Sequence, residues 1–364
     1  MPKVILISQF PLPYSKIGSW PTMYKNYFES GNHQIDVIIC EKTNQKFDSV
    51  VYEIVPDDFW FKLRRKWHKF YRLGYLEALK KVLNKQDKFV IQVVDNYRIV
   101  FKIHKILLSL GIRENCYIQC FYHGFAPYLT IQNTRDFYEI TDELILLTKD
   151  SYKEHIKYYS AFPCKVSHIY NGIDTQKFCK VSASVKSQIK SQLGISQQKV
   201  FLWCSNDRPK KGLNLLLDAW KRIDAKHQDI VLLVIGSKNQ KPVPGVVYLG
   251  KIPNDDLPQY YQISDCYLFP TLCHEGFGLS LIEALNCGCY CIASALGGVP
   301  EVLQYGKLGK LIENPNFVSE WVKAVDDYLN QIDAPIVLDT PVYTAQQWNA
   351  RMNEIIQEAK ISLS

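Results

Sequence analysis

Short runs of branched apolar residues alternate along this chain with longer stretches of helical spacing. In the first half the runs are KVILIS (3–8), IDVIIC (35–40), FVIQVV (89–94), CYIQCFY (116–122) and LILLT (144–148). Runs that are apolar on both faces and separated by helix-length segments predict parallel strands in an α/β sheet. A polar stretch rich in Ser, Lys and Gln follows at 180–199, and the alternation then restarts: VFLWC (200–204), IVLLVIG (230–236), VVYLG (246–250), CYLFP (266–270) and CYCIAS (289–294). The pattern predicts two tandem Rossmann-like doubly wound α/β domains, 1–170 and 171–340. Beyond Pro341, residues 341–364 read as a closing helix with Trp348, Met352, Ile355 and Ile356 on one face. Ligands of such sheets bind outside the carboxyl ends of the strands, so two such edges are expected to face each other across a cleft.

The length of 364 residues agrees with two domains at ~150 residues each. Hydrophobic (47%) and charged (22%) fractions are those of a globular protein and exclude a fibre or a disordered chain. Eleven cysteines, odd in number and without a CxxC pair, predict buried reduced thiols rather than zinc ligands, even in CGCYC at 287–291. A reducing cytoplasm is the expected compartment. The apolar run of MPKVILISQFPLPY is too short for a signal-peptide core, and no segment has the length needed to span a bilayer. The expectation is a protein neither exported by such a signal nor integrally inserted. A net charge of +7 favours an anionic partner.

Candidate chemistry concentrates in FPTLCHEGFGLSLIEALNCG, 269–288. A strand ends at Pro270, a loop carries Glu275 and Gly276-Phe277-Gly278, and a helix begins at Leu279 and closes at Gly288. Glycines allow the backbone to approach a ligand, and the unpaired amides of a helix start favour phosphate. Glu283, about one and a half turns into the helix, can accept both hydroxyls of a ribose diol. Glu275, ahead of the turn, can accept from sugar hydroxyls. Two acids flanking a phosphate site suggest a nucleotide sugar; a solvated loop glutamate and an exposed helix glutamate remain the alternative, and spacing alone leaves both open.

The stretch HEGFGLSLIEALNCGCYCIASALGGVPEVL (274–303) closely resembles the signature of the retaining nucleotide-sugar glycosyltransferases of family four, which have the glycosyltransferase-B fold. Weaker similarities are NGID (171–174) with Phe178, RPKKGLNLLLDAW (208–220), YHGF (122–125) and the last helix. The resemblance implies that Glu275 binds the donor hexose and Glu283 the ribose, while the backbone amides of Phe277, Gly278 and Leu279 hold the diphosphate and Lys211 neutralises it. His123 would line the acceptor side near the anomeric carbon, the alternative being a histidine satisfied by a backbone carbonyl. Gly18, in the first strand-to-helix loop, lies where the family has its glycine-rich acceptor loop. The family usually has an arginine six residues before the lysine, where this chain has Ser205; Arg208 is the candidate to compensate, against a plain surface arginine.

The implied reaction is hexose transfer with retention from a UDP-, GDP- or ADP-sugar to a saccharide or lipid-linked acceptor, as in the making of lipopolysaccharide, capsule or glycolipid. It would use no cofactor and no metal, since no D-x-D acid cluster stands in the motifs; the paired aspartates at 57–58 and 255–256 lie outside them. The substitution at Ser205 motivates an alternative from another class, a catalytically weak or inactive nucleotide-sugar-binding scaffold. An epimerase or glycogen-type enzyme on the same architecture is disfavoured by the spaced glutamates.

One stretch stands apart, DDFWFKLRRKWHKFYRLGYL at 57–76, with six Lys/Arg and no acid after Asp58. On a helix Trp60, Leu63, Trp67, Phe70 and Tyr71 share a face while Arg64, Arg65, Lys69 and Arg72 lie largely away from it. Arg64, Arg65 and Lys69, with Lys66, would contact an anionic membrane surface, making the protein peripheral on the cytoplasmic face. The alternative is a helix that packs its aromatics on the first sheet. Nucleic acid is not an expected partner, because no recognition module is present.

Overall fold

The computed structural model describes residues 1–14, 19–55, 73–127, 131–157, 159–237, 241–331 and 338–364. Gly18 and the cations Arg64, Arg65, Lys66 and Lys69 lie outside the described residues. The chain folds as two compact units, Met1–Asn171 with Ala345–Ser364, and Gly172–Thr344.

The first unit is built on strands β1 (Lys3–Ile7), β2 (Val37–Cys40), β3 (Val51–Ile54), β4 (Phe89–Val94), β5 (Cys116–Tyr122), β6 (Glu143–Leu146) and β7 (Lys165–His168). They pair in parallel in the order β3-β2-β1-β4-β5-β6-β7. Because side chains alternate along a strand, β1 sends Ile5 and Ile7 to one apolar layer and Val4 and Leu6 to the other. Helices Leu73–Val82, Tyr97–Leu110 and Ile131–Ile140 cover the first layer, and Ser19–Glu29 and the last helix, Ala345–Ser362, cover the second. Trp348, Met352, Ile355 and Ile356 of that last helix are buried against Val90, Phe121 and Ile145. Full burial of one such side chain contributes about 1.5–3 kcal/mol, which anchors the helix to this sheet.

A polar ladder runs beneath that apolar contact. Gln92 and Gln119 are register partners on β4 and β5, as are Gln119 and Glu143 on β5 and β6. Gln92 Nε2 donates to Gln119 Oε1 at 3.0 Å, and Gln119 Nε2 donates to Glu143 Oε2 at 2.8 Å and to the Ile355 carbonyl at 3.2 Å. Ser167 Oγ and Lys165 Nζ are further partners of Glu143, and Lys165 also pairs with Glu358 on the helix at 2.6 Å. All three ladder side chains are fully buried, so each hydrogen bond stands in for lost water.

The second unit uses β8 (Lys199–Cys204), β9 (Ile230–Ile235), β10 (Val246–Gly250), β11 (Cys266–Phe269), β12 (Tyr290–Ser294) and β13 (Lys310–Ile312). The parallel order is β10-β9-β8-β11-β12-β13. Helices Leu213–Asp224 and Val318–Leu329 bury Leu216, Trp220, Trp321 and Val325 against Phe201, Leu232 and Leu268. The eleven cysteines are unbonded, seven of them buried and four half-buried.

Strands β3, β7 and β13 are absent from the hydrophobic-run prediction. Each is a sheet edge of three or four residues, VYEI, KVSH and KLI, paired on one side only. An edge strand does not need two apolar faces, so the run that marks a central strand is missing. In both sheets the order reverses beside the first strand, between β1 and β4 and between β8 and β11. These are the switch points at which such sheets take ligands.

Replacing Gln119 by Ala strands Glu143 Oε2 and the Ile355 carbonyl, and is expected to destabilise the first unit by about 1–3 kcal/mol. Hydrogen exchange of the β4–β6 amides checks this; unchanged protection would mean that the ladder is not stabilising.

Candidate functional site

At the β8/β11 switch point two loops are drawn together by close backbone approach. The loop after β8 ends in a 3-10 turn, Pro209–Lys211, followed by Gly212 at φ 74°. A Cβ on Gly212 would lie 1.8 Å from the Pro270 carbonyl oxygen, so this approach requires glycine. The loops are then cross-linked: Leu272 N donates to the Lys210 carbonyl at 2.8 Å, and Trp203 Nε1 to the Lys211 carbonyl at 3.4 Å. Lys211 Nζ thereby reaches Glu275 Oε1 at 2.5 Å, with Thr271 Oγ1 donating to the same oxygen at 2.9 Å and Cys273 Sγ at 3.5 Å.

Glu275 is held from the other side as well. Its backbone bridges Gly297, which sits at φ 68°, and its carbonyl accepts from Gly298 N at 2.8 Å. A Cβ on Gly297 would come within 2.6 Å of both the nitrogen and the oxygen of Glu275. The Lys211 and Glu275 side chains are 20% and 17% exposed, enough for a ligand to reach both.

Beyond Glu275, Phe277 is buried edge-on to Tyr343 at 5.4 Å, so only its backbone is available for binding. Gly278, at φ 99°, opens the helix Leu279–Asn286 without a side-chain cap. The helix start therefore keeps its donors and its partial positive charge. Glu283, on the same helix, has a different environment from Glu275. Burial pushes its carboxyl up to about 7 against the opposing pull of the Tyr261 hydroxyl and Lys177. The sequence reading takes Glu283 as a carboxylate that accepts from the ribose diol; in the fold its carboxyl lies well above the usual carboxylate range. Lys177, which pairs with Asp255 at 2.6 Å, has no counterpart among the expected residues.

Ser205 closes β8, its amide donating to the Ile235 carbonyl at 3.1 Å. Arg208 caps the 3-10 turn through its backbone, and its side chain is exposed without an ion-pair partner among the described residues. It stands three residues from Lys211 on the same loop.

In the first unit His123 follows β5, and Asp95, which follows the adjacent β4, reaches it with its side chain. The Asp95 carboxylate takes both available donors: His123 N–H reaches Oδ1 at 2.8 Å, and His123 Nδ1 lies 3.1 Å from Oδ2. Burial would raise the Asp95 carboxyl, but the charge and hydrogen bonds of His123 outweigh it and hold it below its ordinary value. The Trp20 ring stacks on the imidazole at 6.3 Å and 22°. His123 is thus satisfied by a carboxylate rather than by a carbonyl. Sequence reasoning missed Asp95, although an aspartate directly after the apolar run FVIQVV was a visible signal. It also missed Thr271, Gly212 and Gly297, whose importance depends on which loops meet.

Residues 185–335 match the family model "Glycosyl transferases group 1". The match contains Lys211, Glu275, Gly278 and Glu283. Among curated proteins, N-acetyl-alpha-D-glucosaminyl L-malate synthase of Bacillus anthracis is 32% identical over 160 residues, 41% of this chain and 40% of that protein. The GDP-mannose-dependent alpha-(1-6)-phosphatidylinositol monomannoside mannosyltransferase of Mycolicibacterium smegmatis is 25% identical over 192 residues, 48% of this chain and 50% of that one. The chain spans half or less of the length of these two relatives. Among solved structures, Anabaena HepE in complex with UDP and glucose superposes with a TM-score of 0.71 at 17% identity, covering 100% of both chains. A glycosyltransferase from Rickettsia africae gives 0.72 at 13% identity, covering 100% of this chain and 99% of that one. At such identities the likeness establishes the fold, which is glycosyltransferase-B.

The raised Glu283 carboxyl has a sign that can be measured. Between about 4.5 and about 7 the folded chain retains a proton that the unfolded chain releases, so this group's contribution to stability falls as pH rises through that window and is constant above it. Thermal melts of wild type against Glu283→Gln should show the variant gaining relative stability from pH 4.5 to 7; parallel curves would refute the assignment.

Proposed function

We propose that the protein, whose residues 185–335 match the group 1 glycosyl transferase family model, is a retaining hexosyltransferase. It moves the sugar of a nucleoside diphosphate donor to a saccharide or lipid-linked acceptor, in the making of a surface glycan. The observation that carries this reading is the Lys211–Glu275 contact beside an uncapped helix start, at the switch point of the second sheet. A diphosphate entering there meets the Lys211 ammonium and the amides of Phe277, Gly278 and Leu279, while Glu275 turns its free oxygen to the hexose hydroxyls. Glu283 accepts from the ribose. Charge then develops on the departing diphosphate where cationic and N–H donors already point, which is the interaction that lowers the barrier. The bond from C1 to the β-phosphate oxygen breaks, the acceptor oxygen bonds C1 on the same face, and the acceptor proton passes to the departing phosphate. Glu275 is occupied by Lys211 and Thr271, which suits binding rather than nucleophilic attack. In this reading Lys211 and the amides do the work of a metal, no cofactor takes part, and His123 serves the acceptor side.

The relatives support a nucleotide sugar as donor: one is named as GDP-mannose-dependent, and HepE is solved with UDP-glucose. Ser205 favours a second reading, a nucleotide-sugar-binding scaffold without turnover, unless Arg208 supplies the missing cation. Nucleotide release from UDP-, GDP- and ADP-hexoses separates the two. Glu275→Ala and Lys211→Ala are each expected to lower kcat/KM by about 10²-fold or more; release no faster from wild type than from the variants, with donor still bound in thermal shift, would establish the scaffold.

We further propose that the cations at 64, 65, 66 and 69 hold the protein on an anionic membrane, each contributing ~1 kcal/mol. No helix among the described residues is long and apolar enough to cross a bilayer. Flotation with anionic liposomes should be lost on changing Arg64, Arg65, Lys66 and Lys69 to Ser; unchanged flotation would remove this stretch as the anchor.

A further inference from the structure

The Asp95–His123 pair carries more than the placement of a histidine. Parallel pairing of Val94 with Phe121 brings the residues just past β4 and β5 side by side, and Asp95 N extends the ladder by donating to the Phe121 carbonyl at 2.9 Å. Immediately beyond that bond Asp95 turns into the left-handed region at φ 50°. A non-glycine residue there is uncommon, and such backbone is found preferentially where surrounding structure holds a functional group in place. The result of the turn is that both carboxylate oxygens face one residue, His123, through its amide and its Nδ1.

An ionised carboxylate only accepts hydrogen bonds. The Asp95 contact at 3.1 Å therefore requires the proton on Nδ1. In neutral His123 the lone pair then resides on Nε2, which has no partner among the described residues, while the side chain is 17% exposed. The Trp20 ring, stacked on the imidazole, limits its rotation. The carboxylate thus selects the tautomer, with the indole lying roughly parallel to the ring.

We infer that Asp95 is a positioning residue for transfer, holding His123 as the Nδ1–H tautomer so that Nε2 accepts a hydrogen bond from a ligand hydroxyl. The inference rests on the proposed role of His123 on the acceptor side. No bond to Asp95 forms or breaks, and its work is to keep the ring nitrogen that meets the hydroxyl an acceptor rather than a donor.

The test uses Asp95→Asn in the full chain. The asparagine oxygen keeps the bond from the His123 amide, which places its NH₂ against Nδ1, where it donates and drives the ring proton to Nε2. In 15N-histidine-labelled protein, with His123 identified by the resonances lost in His123→Gln, wild type should show Nδ1–H and the variant Nε2–H. The kcat for transfer should fall at least about 10-fold while the KM for the donor, held by the second unit, changes less than about 2-fold. A wild-type proton on Nε2 overturns the inference whether or not the variant folds. So does an Asp95→Asn enzyme with unchanged tautomer and kcat, or one whose loss lies in donor KM. Should wild type transfer no hexose from any donor, the functional reading fails while the ring 15N signals still decide the role of Asp95.

Discussion

The constraint on which the candidate site of the second unit depends is the contact of backbone with backbone at Gly212 and Gly297. Lys211 can meet Glu275 only because the chain after β8 passes against the end of β11 at a distance that excludes a side chain. Glu275 keeps its position only because Gly297 lies against its backbone with equal closeness. Three loops, after β8, β11 and β12, are thus packed edge to edge, and the charged groups follow from where the backbones touch. In a catalytic site a displacement of ~1 Å is enough to cost ~10²-fold in rate.

The first unit solves a different problem, that of joining a helix from the far end of the chain to a sheet. Apolar contacts of Trp348, Met352, Ile355 and Ile356 supply adhesion but permit several registers. The buried row Gln92, Gln119 and Glu143 removes that freedom, because Gln119 must find the Ile355 carbonyl and Lys165 must find both Glu143 and Glu358. A shift of the helix would leave buried polar atoms without partners, which is costly in a medium of low dielectric. Specificity of docking here comes from polar groups set within the apolar surface.

Two glutamates eight positions apart show how little residue type alone decides. Glu275, partly exposed and bound by Lys211 and Thr271, is an ion-paired acceptor. Glu283, desolvated beside Tyr261, is pushed up to about 7. The nearer the working pH lies to that value, the more its proton responds to what it binds. His123 is a third case, in which a carboxylate from the neighbouring strand selects between two ring nitrogens.

By itself the sequence determined the central strands, whose runs such as FVIQVV and CYIQCFY must be apolar on both faces to lie inside a covered parallel sheet. It determined the helix start at Leu279, since glycines flanking Phe277 mark a turn that few other sequences make. These features are local, and local patterning is what a sequence displays. Tertiary structure alone decided the edge strands β3, β7 and β13, which lack a second apolar face, and the pairing of Asp95 with His123, set by strand register across 28 positions. It decided as well that backbone lies hard against Gly212 and Gly297, whereas Gly111 and Gly194 have nothing near them. That distinction depends on which backbone lies opposite, and the neighbour of a residue in space is a property of the fold that no local pattern records.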